Sequence, residues 1–157
     1  MAYASIQQIR DEAGFTNNAN ILNATISDYQ VRAYNVIISY VSATYSLATL
    51  TGALFTGSPA ETFLKQVEIL LAAGYLLQKE FAGQTKGENE GDGKVKAAMD
   101  MLKDLKSGMI RLLDINGLQL PANSPSSLAG QASLTAPAGL TADPISSERK
   151  FSVDTIY

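Results

Sequence analysis

Apolar and polar positions along the chain alternate with two kinds of punctuation, and these divide it into four helical segments and a tail. Residues 5–13 form a first short helix. Ser5 and Gln8 have capping-box spacing, Ile6 and Ile9 share a face, and Gly14 supplies the stop. Residues 15–26 read as a polar, Asn-rich connection. A second helix is expected over 28–48, with Ser27 as its cap and Asp28 at the positive end of its dipole. At about 100° per residue, Arg32, Asn35, Ser39, Ser42 and Ser46 fall on one narrow polar stripe. Val31, Tyr34, Ile37, Ile38, Val41 and Tyr45, with Tyr29, Val36, Tyr40 and Leu47, occupy the rest. Such girth predicts the central core helix, buried from several sides. The competing reading puts part of this face, rich in tyrosine, against a neighbouring subunit.

Residues 46–57 carry two glycines among β-formers and read as a loop or small hairpin. Its Leu54-Phe55 tip is either an exposed contact point or a plug folded back into the bundle. Ser58-Pro59-Ala60-Glu61 is a helix start: serine caps, proline takes the first position, and glutamate completes the box. Phe63, Val67, Leu70, Gly74, Leu77 and Phe81 recur at steps of three and four, so this third helix is amphipathic and ends near Gly83. Gly74 lies on the apolar face, where it permits close helix packing. Glu68 and Glu80 read as surface residues on the polar side. Residues 83–93 read as a mobile acidic loop. A last helix is expected over 94–115, its stripe formed by Val95, Met99, Leu102, Leu105, Met109 and Leu112-Leu113, closed by Asn116-Gly117.

Beyond that point the pattern changes. Residues 118–140 are rich in Pro, Ser, Ala and Gly, and no Lys, Arg, Asp or Glu occurs between Asp114 and Asp143. The stretch lacks a helical period and enough apolar surface to fold alone, and its low charge sets it apart from a solvated tail. It reads as an arm made to lie against something. In the final residues Phe151 and Val153 alternate with Ser152 and Asp154, which is strand character. The expected fold is therefore mainly α: a bundle of about four helices over 1–116, and an extended arm over 117–157 ending in a short β-strand. Fully extended, the arm spans on the order of 130 Å.

Composition narrows the function. The chain has 157 residues, one domain's worth, with 46% hydrophobic and 17% charged residues and a net charge of −3. That balance gives no electrostatic footprint for nucleic acid or for anionic membranes. Cysteine and histidine are absent, so disulfides, thiolate sites and His-based triads are excluded. The start, Met1-Ala2-Tyr3-Ala4-Ser5, lacks signal-peptide character, and no run of about 18 apolar residues is present to span a bilayer. Synthesis in a cytoplasm is expected.

Two motifs invite chemistry and fail. Gly93-Lys94 would need Ser or Thr next and a glycine at Glu88 to make a phosphate loop. Glu88, Glu90, Asp92 and Gly93 imitate the start of a calcium loop, but its twelfth position is Met99. Of the carboxylate pairs Asp11-Glu12 and Asp100/Asp104, the second lies at i, i+4 beside Lys96, Lys103 and Lys106, a spacing that usually makes a solvated helix face. No catalytic, cofactor or metal residue is expected, and the chain reads as non-enzymatic.

The layout resembles a family. A Met1-Ala2-Tyr3-Ala4 start opens a short helix, long helices follow, and the arm ends in Ser147-Glu148-Arg149-Lys150-Phe151-Ser152-Val153, a Ser-Glu-x-x-x-Ser-Val pattern. This is similar to the head–tail connector adaptors (head completion proteins) of tailed bacteriophages. The resemblance implies a structural virion protein whose helical subunits form a ring, commonly of twelve, joining portal to tail in the neck. It also implies partners: the portal protein, neighbouring copies, and a downstream neck or tail completion protein. Portal docking would fall to the arm, with Phe151, Val153, Ile156 and Tyr157 as anchors, and Leu54 and Phe55 would be further contact residues. Strand addition to a partner's sheet edge suits such a segment. The residues alone also admit a monomeric helical binding module or assembly chaperone with a disordered tail, or a small enzyme working through Lys, Tyr or carboxylates.

Overall fold

The computed structural model describes residues 2–82 and 85–123, and the side chains of all of these except 85–89. Four helices are present: α1 (Ile6–Glu12), α2 (Asn23–Val41), α3 (Pro59–Glu80) and α4 (Thr85–Ser107), with a short 3₁₀ turn at Thr49–Thr51. The protein is mainly helical, and among the described residues there is no strand beyond an isolated bridge between Leu113 and Gln119. None of the described helices is long and apolar enough to cross a membrane.

Two helix starts follow from local chemistry. Ser5 Oγ accepts from the Gln8 N–H at 3.2 Å, and Gln8 Oε1 accepts from the Ser5 N–H at 3.0 Å. At α3, Ser58 Oγ accepts from the Glu61 N–H at 3.1 Å. The Glu61 carboxylate reaches one residue further back than a standard box, to the Gly57 N–H at 2.6 Å.

The central helix is α3, not α2. It packs on α1, α2 and α4, and buries Leu64, Val67, Leu71, Ala72, Ala73, Leu76 and Leu77. α2 buries one stripe only: Ile26, Gln30, Ala33, Ile37 and Val41. Its tyrosines Tyr29, Tyr34 and Tyr40 stay half-buried. The polar stripe from Arg32 to Ser42 is exposed, as its spacing predicts.

Four helix boundaries depart from the sequence reading, each because tertiary contacts replace local signals. α2 starts at Asn23 rather than Asp28, without a side-chain cap. Its first turn is held instead by Arg10, which donates to Asn18 O at 2.9 Å, to Asn23 Oδ1 at 2.9 and 3.2 Å, and to Ile21 O. α2 also ends at Val41, not 48, and Tyr45 turns into the core, its hydroxyl accepting from the Leu112 N–H at 3.3 Å.

The expected acidic loop over 83–93 is instead largely the first turns of α4. Its glycines make the α3–α4 crossing possible. A Cβ on Gly74 would lie 2.6 Å from Val95 Cγ2 and 2.9 Å from Gly91 O, and one on Gly91 would meet Gly74 O at 2.9 Å. Gln78 donates to Asp92 Oδ1 at 2.7 Å, and Lys94 pairs with Glu12 at 2.6 Å, so this segment is tied to α3 and α1. The usual cost of helical glycine, about 1 kcal/mol, is offset by the close approach it allows.

At its other end α4 stops at Ser107, where Gly108 takes φ +80°, instead of running to 115. Residues 112–120 turn back on themselves. Leu120 N–H donates to Leu112 O at 2.9 Å and Asp114 N–H to Leu118 O at 2.7 Å. Asn116-Gly117, expected to close the helix, makes this turn, with Gly117 at φ +77° and Asp114 Oδ1 accepting from Asn116 and Leu118 N–H, both at 2.8 Å. An Asn-Gly pair suits such a hairpin turn.

Leu120 is buried, and Asn123 N–H donates to Thr44 O at 2.6 Å. The described chain therefore stays packed on the bundle as far as Asn123. The expected terminal β-strand lies outside the described residues.

Candidate functional site, an apolar end of the bundle

Residues 46–57 form neither hairpin nor extended loop. They coil through the 3₁₀ turn and a tight reversal, with Phe55 N–H donating to Gly52 O and Ser58 N–H to Phe55 O, both at 3.0 Å. Glycine at 52 and 57 leaves room for these turns, Gly57 at φ +77°. The reversal separates the two residues of the expected tip. Phe55 is 3% exposed and lies 5.8 Å from the Tyr3 ring, so as a partner contact it is corrected: it plugs the bundle. Leu54 points the other way and is 51% exposed.

Leu54 does not stand alone. Its carbonyl accepts from the Ile115 N–H at 3.0 Å, which joins this loop to the 112–120 hairpin. Ile115 is 55% exposed and Leu118, on the same hairpin, 66%. Alongside runs an apolar groove of about 350 Å³ lined by Ala48, Thr49, Gly52, Ala53, Leu54, Leu120 and Pro121. Leu47, also exposed, precedes its first lining residue. An apolar groove with an exposed leucine in its wall, on a loop bonded to a hairpin that exposes two more aliphatic side chains, is a candidate docking site. Asn123, where the described chain ends, is bonded through N–H and Nδ2 to Thr44 O and Ser42 O, a few residues before that groove wall.

Of the six expected partner-binding residues, the structure thus exposes Leu54 and buries Phe55. Phe151, Val153, Ile156 and Tyr157 lie outside the described residues. Ile115 and Leu118 were missed, because a helix running to 115 hides the hairpin. The Asn116-Gly117 pair was the signal that could have revealed it.

The strongest electrostatic feature lies elsewhere. Glu68, expected on the surface, is 0% exposed. The N-terminal segment crosses the side of α3 that periodicity marks as polar, and Glu68 Oε2 accepts from the Tyr3 and Ala4 N–H groups, both at 2.6 Å. Gln30 Nε2 donates to Ala4 O at 2.6 Å from the other side. Burial raises the Glu68 carboxyl above its ordinary range, against the pull of those two N–H donors. Its Oε1 is buried and has no hydrogen-bond partner among the described residues. Tyr3 is also pushed up, by burial and then by Tyr34 and Glu68 nearby. The arrangement anchors the chain start. Glu80, the other expected surface acid, is exposed.

Other polar features are local. Asp100 pairs with Lys103 at 2.9 Å on the solvent side of α4, which lowers the carboxyl and raises the amine. A cleft between α2 and α3 is lined by Thr25, Asp28, Tyr29, Arg32 and Lys79, with the Arg32 guanidinium 4.4 Å from the centre of the Tyr75 ring. Charges of both signs share it. Among the described residues, no group of three acidic side chains could hold a metal ion.

No family model, curated protein or solved structure matches this chain.

Proposed function

We propose that this chain is a structural, non-enzymatic adaptor of the head–tail connector of a tailed bacteriophage. It is made in the host cytoplasm and built into the virion neck, where copies form a ring between portal and tail. In this reading the arm binds the portal through Phe151, Val153, Ile156 and Tyr157, and a downstream neck or tail completion protein meets the opposite side. The observation that supports a binding role is the set of exposed apolar side chains Leu54, Ile115 and Leu118 on two segments joined by a backbone hydrogen bond, with an apolar groove at Leu54. The step from binding role to phage neck rests on the resemblance of the chain's two ends to that family.

Electron microscopy of the purified protein mixed with the portal ring of the same virion tests the reading. A ring of this protein on the portal, with density rising from its C-terminal arm, is the expected result. A bare portal beside a folded monomer would instead favour a monomeric binding module or assembly chaperone.

A further inference from the structure

We propose that the groove beside Leu54 receives the uncharged part of the arm, residues 124–142, from a second copy of this chain. The inference rests on the ring reading, which sets neighbouring copies side by side. Four observations converge on this occupant. The groove is lined by Ala48, Gly52, Ala53, Leu54, Leu120 and Pro121, with Thr49 its one polar side chain, so it suits an uncharged segment. Between Asp114 and Asp143 the chain carries no charged residue, a run that begins in the hairpin and continues through the arm. Within it Leu128, Leu134 and Leu140 recur every six residues. An even spacing puts them on one side of an extended chain, and six residues span about 20 Å.

The fourth observation is size. The groove is lined by seven residues from two short segments. A stable dimer of folded domains needs roughly 20–30 residues on each partner. The patch is too small to join two bundles face to face and matches one extended segment with a leucine anchor. Chain length allows the exchange, since 157 lies far enough beyond Asn123 for residues 124–142 to cross a neighbour while Phe151–Tyr157 still continues to the portal.

The test places the photo-cross-linker p-benzoylphenylalanine at position 54 of the full chain, where the side chain is half-exposed. Copies labelled with ¹⁵N and unlabelled copies are mixed, assembled on the portal, irradiated and analysed by mass spectrometry. The expected product joins position 54 of one isotopic form to residues 124–142 of the other. Replacing Leu128, Leu134 and Leu140 together by Ser is expected to cut its yield at least about tenfold, the least that burial of one leucine contributes. Circular dichroism confirms that this variant stays folded. Products within single copies only, products with the portal only, or a yield indifferent to the leucines would each overturn the inference. Rings without the inter-copy product sink this inference and leave the adaptor reading standing. If no ring forms, the adaptor reading fails. The same irradiation of the free protein at high concentration then decides the inference: mixed-isotope products keep it, and their absence ends it.

Discussion

At the scale of single residues, Glu68 has the most to say. Its carboxylate holds the Tyr3 and Ala4 N–H groups from a fully buried position, so the anion is held in place at a cost in desolvation. Because its folded pKa lies above the unfolded value, the native state binds more protons than the unfolded one between the two. The Glu68 contribution is therefore fully present below the ordinary value of 4.5, and is lost as pH rises through the folded pKa. Glu68→Gln cannot ionise, so the melting temperature of the variant minus that of the parent should increase from pH 4.5 to pH 7. A difference flat in pH would show that Glu68 titrates as if exposed. Leu54 and Phe55, adjacent in sequence, should behave oppositely. Phe55→Ala should cost about 3 kcal/mol in denaturant unfolding, because a buried ring leaves a cavity. Leu54→Asp should leave stability within about 0.5 kcal/mol, as exposed positions do. Val41, fully buried on α2, should not tolerate charge: Val41→Asp is expected to unfold the domain, read by loss of helical dichroism.

At the scale of elements, the α3–α4 crossing depends on Gly74 and Gly91. Gly74→Ala should destabilise by about 1–3 kcal/mol, despite alanine's better helix propensity, because its Cβ meets the Gly91 carbonyl and Val95 at less than contact distance. Gly93 is the control. It is helical, exposed, and has nothing within 4 Å of an added Cβ, so Gly93→Ala should stabilise by up to about 1 kcal/mol. Chemical denaturation of the two variants checks both signs. The same elements show where sequence reasoning holds. Ser5–Gln8 and Ser58–Glu61 were legible because a cap depends on residues three apart. The 83–93 segment was not, because glycines and acids that signal a loop locally become helix once Gly91 sits against Gly74 and Lys94 against Glu12.

For the whole molecule, the prediction concerns the division of labour between bundle and arm. Removing residues 150–157 should leave the helical dichroism and unfolding midpoint of the bundle unchanged, and should abolish ring formation on the portal. A collapse of the helical signal would instead make the arm part of the core. Of the candidate site, the sequence named Leu54, in a segment it read as a loop or small hairpin, but not Ile115 or Leu118, which needed the hairpin at 112–120. By itself the sequence determined the helical class, the starts of α1 and α3 with their caps, the exposed stripe of α2 and the change of character after Asn116, because caps and periodicity are local properties of a few residues. Only the tertiary structure decided that α3 is the central helix, that Glu68 is covered by the chain start, that Phe55 turns inward while Leu54 turns out, and that the apolar groove stands where two distant segments meet. Each of those depends on residues tens of positions apart, and burial is set by what packs against a face, which the face's own sequence does not contain.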